Sequence, residues 1–206
     1  MTKIASKFAC ELACALADAE SPTNQPSDNV KDTIDRFRHA LETVGDVDDT
    51  QESRSTLPQD AADWLIEALG ELNGTRSFND AVAMAAKAAG WYQIYNDDAA
   101  SDNTESSPMR DLASGMYAAR LIGPHRALVQ SDQVLAGLFL LRKDLHYPLH
   151  QHQSTEIYFS ASGTVQIQHG INGKPRTLLP GQVSLTPPNR LHALTMGDRP
   201  VLILWV

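Results

Sequence analysis

Three histidines, one glutamate and two tyrosines fall within thirteen residues at the start of HYPLHQHQSTEIYFSASG, residues 146–163. His150, His152, Glu156 and Tyr158 share even parity, and on an extended chain alternate side chains face the same way. Two imidazoles and a carboxylate converging on one face form a ligand set that suits zinc or a non-haem first-row metal. A further imidazole, His192, closes a second stretch, GQVSLTPPNRLH, residues 181–192. A histidine-rich strand alone also admits a plainer and less favoured reading, as the solvated mouth of a barrel. The second stretch favours the metal.

Together the two stretches resemble the paired motifs of the cupin superfamily. The first motif runs glycine, five residues, His-x-His, three or four residues, glutamate, six residues, glycine. Here His150, His152, Glu156 and Gly163 match it, and Asp144 takes the place of the opening glycine. In the second motif Gly181, Pro187 and His192 match, while Asn189 and Met196 stand where an inner glycine and a final asparagine would. A narrower resemblance lies inside the first motif. Tyr147, His150, His152, Glu156 and Tyr158 fall at the spacing of the cupin-type dimethylsulfoniopropionate (DMSP) lyases. LIGPHRAL at 121–128, AGLFLLRKDLHYP at 136–148 and the C-terminal GDRPVLILWV also look like that family. The similarity covers roughly residues 110–206, and a helical N-terminal half fits the longer members. Thr155 departs from it, standing where a second acidic residue beside Glu156 is expected.

The resemblance implies an all-β cupin barrel (a jelly roll) over residues 108–206, preceded by an α-helical region over 1–107 that packs on it. It also implies one divalent transition metal per chain, Zn, Fe or Mn, held by His150, His152, Glu156 and His192. The activity implied is cleavage of DMSP to dimethyl sulfide and acrylate by base-catalysed β-elimination. Such a ligand set leaves open positions on the metal, and a substrate carboxylate there would have its developing charge stabilised. Tyr158 is the expected base. With an ordinary pKa of about 10 it needs nearby positive charge to reach the phenolate. Tyr147 and Trp205 are expected to touch substrate, whose sulfonium can rest on aromatic faces. Phe159 is another such ring, but its odd parity points it outward. Tyr158 also admits a plainer reading, as a barrel-wall aromatic that only packs. Two rival functions share the ligand set: a cupin oxygenase or isomerase using Fe(II), and a non-catalytic small-molecule-binding cupin.

The elements that must position these residues divide the chain. Ile4, Phe8, Leu12 and Leu16 recur every four residues, as on an amphipathic helix, and Lys7 and Glu11 break any signal-peptide core. A second helix carries Val30, Ile34, Phe37, Leu41 and Val44, with Gly45 at its end; a third spans 58–73 and a fourth 77–89. Residues 45–56 and 96–108 are polar and aperiodic, and read as a loop and a linker. Trp91, Tyr92 and Tyr95 between them are expected mostly in the core, with one ring alternatively near the substrate. Beyond the linker the period shortens, giving strands at 116–122, 134–142, 154–160, 164–169, 176–179, 182–186, 191–195 and 200–206, with a turn at Asn172-Gly173. Cys10 and Cys14 are expected as small apolar residues on a buried helix face. His39 and His125 are expected in solvent and His169 at the periphery; His146 is only a candidate support for the ligands, since Pro148 leaves its direction open.

With 17 basic and 25 acidic residues the net charge is −8, which argues against nucleic acid or an anionic membrane as a partner. A zwitterion such as DMSP carries no net charge to repel. Two cysteines imply no disulfide framework, so a reducing cytoplasm fits. Nothing reaches the length of a membrane span. A homodimer is compatible with the sequence.

Overall fold

The computed structural model of the chain describes residues 3–18, 27–42, 56–95, 108–125 and 127–206. Four helices come first: α1 (Lys3–Asp18), α2 (Ser27–Glu42), α3 (Gln59–Gly70) and α4 (Arg76–Ala88). Phe8, Leu12 and Leu16 of α1 are buried as their spacing predicts, with Ile34 and Leu41 of α2 and Phe78, Val82 and Ala85 of α4. Thr75 caps α4, its hydroxyl accepting the Phe78 N–H at 3.2 Å, which satisfies one of the orphan donors of a helix start. Cys10 and Cys14 are a correction: both thiols are exposed. The stripe of Phe8, Leu12 and Leu16 takes the buried face and turns the cysteines outward. The expected loop lies outside the described residues except Thr56, and the linker does so except Pro108, where α5 (Pro108–Gly115) begins.

Among the described residues eleven strands follow these four helices, β1 before α5 and the rest after it: β1 (Trp91–Gln93), β2 (Met116–Gly123), β3 (Val129–Gln130), β4 (Ala136–Leu141), β5 (His146–His150), β6 (Glu156–Ser162), β7 (Val165–His169), β8 (Arg176–Leu178), β9 (Val183–Thr186), β10 (His192–Met196) and β11 (Val201–Trp205). They form a seven-stranded sheet in the order β1-β2-β4-β11-β6-β9, with β3 on β2, and a four-stranded sheet in the order β5-β10-β7-β8. Every pairing is antiparallel except β2 with β3. Two facing, mostly antiparallel sheets closing on a common interior make the expected jelly-roll barrel.

The larger sheet is covered on both faces, which is why AGLFLL and VLILW are unbroken apolar runs rather than alternating ones. Ile157, Phe159, Ala161, Leu202 and Leu204 join α1, α3 and α4 in one core. Tyr158, Val201, Ile203 and Trp205, the alternate residues of the same strands, join the barrel interior with Leu194 and Ile167. Arg199 ties the β10–β11 turn to α3 through Glu67 and Glu71, at 3.1 and 3.0 Å. Short helices hold little stability alone, and these bury their stripes on the sheet. We therefore expect a cut within residues 100–105 to leave two fragments that co-elute. A soluble, folded and fully active 110–206 fragment would contradict this packing.

Two motif departures have a backbone explanation. Asp144 and Asn189 stand where the cupin motifs have glycine, and both adopt φ 57°, the left-handed region. Aspartate and asparagine tolerate that region better than other side chains. The turn geometry is thus kept without glycine.

Candidate functional site

The histidine-rich stretch does not lie along one strand face. β5 ends at His150 in the smaller sheet, and the chain crosses to the larger sheet before β6 begins at Glu156. His152 sits in that crossing. Parity fails within β5 as well, because His150 pairs with His192 and Tyr147 with Leu194, three residues set against two. The bulge turns both Tyr147 and His150 toward the interior. His146 is left on the outer face, where its Nδ1 bonds the Thr195 hydroxyl at 2.9 Å, so it does not support the ligands.

Three donors converge. One nitrogen each from His152 and His192 and a carboxylate oxygen of Glu156 all lie within 4.8 Å of one another. His150 stands outside that group. Its ring stacks on Tyr147 at 3.9 Å and 8°, and lies 4.0 Å from the His192 ring. The backbone fixes each tautomer. Nδ1 of His150, His152 and His192 contacts the carbonyl of Pro148, Ser154 and Arg190 respectively, at 2.8, 2.9 and 2.9 Å. A carbonyl can only accept, so each Nδ1 carries hydrogen and donates. That leaves Nε2 for a metal, the arrangement in which outer partners orient imidazole ligands. His192 Nε2 is buried without a hydrogen-bond partner, with Glu156 Oε2 3.5 Å away. A buried acceptor left unpaired is costly. The donor set fits a divalent transition metal.

The charges fit the same reading. His152 Nε2 bonds Glu156 Oε2 at 2.8 Å, and this bond raises the imidazole pKa above its usual value. Burial works to raise the Glu156 carboxyl, but hydrogen bonds from its neighbours, His152 first, outweigh it and hold it below the ordinary range. Burial pulls His150 down to about 4, so it is neutral at physiological pH.

Tyr158 is fully buried beside Glu156 and hydrogen-bonded to it. Burial, then the Glu156 charge, push its hydroxyl well above the usual tyrosine value. Without a cation in the pocket it is a phenol. Tyr147 bonds the Tyr95 hydroxyl at 2.5 Å, and the two rings meet edge to face. Tyr95 therefore reaches the site, as one reading of the 91–95 aromatic group allowed, while Trp91 is core and Tyr92 is exposed. Trp205 lines the interior with its Nε1 buried and unpartnered, stacked on Phe139 at 5.3 Å. Gly137 makes room for the indole: a Cβ there would lie 2.6 Å from the Trp205 ring.

A profile of the dimethylsulfoniopropionate lyase family matches residues 29–203. The chain belongs to the DMSP lyase family. It is 37% identical over 78 residues to the dimethylsulfoniopropionate lyase DddQ of Ruegeria pomeroyi, a stretch spanning 36% of this chain and 38% of that protein. Its fold is similar to a structure described under the DMSP lyases RdDddP and RnDddQII, with a TM-score of 0.66 and 18% identity, covering 100% of this chain and 92% of the other. It is also similar to the crystal structure of DddQ from Ruegeria pomeroyi, with a TM-score of 0.58 and 25% identity, covering 85% and 88%.

Two features of this DMSP lyase family site, Phe139 and His169, were not legible in sequence. Phe139 sits in an unbroken apolar run, so its face could not be read. Phe159 faces outward, as its odd parity predicted, and packs on Phe78 of α4 at 5.4 Å. His169, expected at the periphery, lies opposite His192 on β7 and bonds the Thr186 hydroxyl at 3.1 Å. Burial and the nearby Arg176 charge pull it down to about 4. Its alternation with Val165 and Ile167 was the signal; the adjoining Gly170 masked it.

Proposed function

We propose that the protein is a metal-dependent carbon–sulfur lyase that cleaves DMSP to dimethyl sulfide and acrylate. The observation that carries this reading is the convergence of backbone-anchored imidazoles and Glu156 beside a buried tyrosine, in a chain of the DMSP lyase family. His152, Glu156 and His192 would hold the metal, and His150, with its Nε2 equally freed, adjoins them as the fourth candidate. When bound, a divalent metal supplies a Lewis acid that draws charge from the substrate carboxylate.

Tyr158 Oη takes the proton from the carbon next to the carboxylate. The C–H electron pair becomes the double bond of acrylate as the carbon–sulfur bond breaks, and sulfur keeps that bond's pair. Dimethyl sulfide leaves neutral, so the site needs no acid for the leaving group. Burial and Glu156 disfavour the phenolate in the cation-free pocket. Tyr158 would therefore act as the base only once positive charge, the substrate's sulfonium included, enters the pocket beside it. Trp205, with its stacked partner Phe139, offers the sulfonium an aromatic face, and Tyr147, stacked on His150, lines the same interior.

The test is direct. The purified protein, loaded in turn with Zn, Fe and Mn, is sealed with DMSP under nitrogen. Dimethyl sulfide in the headspace and acrylate in solution are expected in equal amounts. Absence of both with every metal would overturn the reading.

A further inference from the structure

Below the level of the metal donors, the barrel interior holds a cation that neither the metal site nor the tyrosine uses. Arg176 on β8 pairs with Ile167, whose side chain is in the barrel core, so the two share the inner face. Its Nη2 donates to the Ser184 hydroxyl at 2.7 Å, across the seam between β8 and β9. Ser184 is fully buried. Arg176 Nη1 is buried as well and has no hydrogen-bond partner. Among the described residues no carboxylate forms an ion pair with this guanidinium, and burial is what acts on its pKa, pulling it down. Arg176 as a whole is half-buried, but a buried donor of a cation, left with neither counter-charge nor hydrogen-bond partner, is costly. Such a group is stabilised by an anion that comes and goes.

Its place relative to the tyrosine gives that anion a direction. Ser184, Tyr158 and Trp205 are register partners across β9, β6 and β11, and form one row on the inner face. Neighbouring strands lie about 5 Å apart. Tyr158 is therefore central, with the Arg176–Ser184 pair on one side and the Trp205 indole on the other.

We propose that Arg176, positioned by Ser184, is the residue that selects the carboxylate end of the substrate. This inference rests on the lyase reading above and deepens it. With the carboxylate toward Arg176 and the sulfonium toward Trp205, the carbon that loses its proton lies over Tyr158 Oη. A carboxylate has lone pairs enough to accept from the guanidinium while another oxygen faces the metal donors. Arg176 thereby explains how a chain of net charge −8 holds an anionic group at depth.

The experiment compares wild type, Arg176→Met, Arg176→Lys and the exposed-site control Lys174→Met, all metal-loaded, with folding checked by circular dichroism. KM for DMSP should rise roughly ten- to a hundred-fold in Arg176→Met, the loss expected for a charge-assisted hydrogen bond. Arg176→Lys should fall between, and Lys174→Met should match wild type. Two half-substrates separate the poles. Propionate inhibition should weaken as KM rises, while inhibition by trimethylsulfonium stays within about two-fold of wild type. Unchanged KM and propionate inhibition would overturn the proposal. Equal weakening of both half-substrates would also overturn it, since Arg176 would then only brace the seam. If Arg176→Met does not fold, Arg176→Lys and Ser184→Ala carry the same comparison. If wild type releases no dimethyl sulfide, the lyase reading fails on its own. Calorimetric titration of propionate into wild type and Arg176→Met then decides the carboxylate site: binding lost with the guanidinium supports it, and equal binding overturns it.

Discussion

Alanine at His192 should yield a folded protein holding at least tenfold less metal than wild type, and His152→Ala should do the same. The expectation follows from the three converging donors and from the buried, unpartnered Nε2 of His192. Loss of even an outer partner of a metal ligand costs about 10- to 100-fold in affinity, and loss of a ligand itself costs no less. His150→Ala should lose less, because His150 lies outside the group and spends its ring face on Tyr147. The measurement is metal per chain after dialysis, with circular dichroism as the folding check. Full metal content in both the His152 and His192 variants would defeat the ligand assignment.

The same site predicts a pH dependence. Its bond to Glu156 raises the His152 pKa, so this imidazole keeps a proton to higher pH than usual. A ligand must shed that proton before a metal can be held. Metal affinity should therefore strengthen as pH rises through the raised His152 value, with proton release on loading. In the metal-free protein the sign is opposite. The His152–Glu156 pair adds stability below the ordinary imidazole pKa and loses it as pH rises through the raised one. An affinity that does not change with pH across this range would remove His152 from the set.

What the sequence made legible follows from how local each signal is. The metal donors sit in short motifs whose spacing survives without knowing the fold. The eight expected strands correspond to β2, β4 and β6 to β11, because turn residues bound each apolar run. β5 was not legible: Pro148 and the exposed His146 break its alternation, and only pairing with β10 across a bulge makes it a strand. The bulge is also why parity from His146 to His150 failed while parity from Glu156 to Tyr158 held. Sites built across the sheets were the least readable. Arg176 meets Ser184 through a seam, and Phe139 reaches Trp205 through strand pairing. Phe139 and Trp205 are far apart in sequence, and Arg176 and Ser184, though only eight residues apart, lie in different sheets. Asp144 and Asn189 show the converse. They read as departures from a motif, yet their φ of 57° preserves what the motif's glycines provide.

Tyr158→Phe should leave a folded, metal-replete protein that binds DMSP and releases almost no dimethyl sulfide. The substitution removes one oxygen from a fully buried ring and keeps the packing against Phe139. Glu156 loses one hydrogen bond but keeps that from His152, so the carboxylate stays in place. A lost intramolecular hydrogen bond costs about 1 kcal/mol of stability, too little to unfold a domain. A lost general base costs far more in rate, about 10²- to 10⁴-fold. The drop should appear in kcat, with KM little changed, since the hydroxyl acts on the departing proton rather than on either charged pole. Tyr147→Phe is the contrasting variant. Its hydroxyl bonds that of Tyr95, and its ring stacks on His150, so its loss should loosen the pocket wall and raise KM with a smaller fall in kcat. If the Tyr147 variant is dead and the Tyr158 variant active, the two roles exchange. If both turn over at wild-type rates, neither tyrosine takes the proton. The base must then be sought elsewhere in the barrel, and the elimination described here fails at its first step.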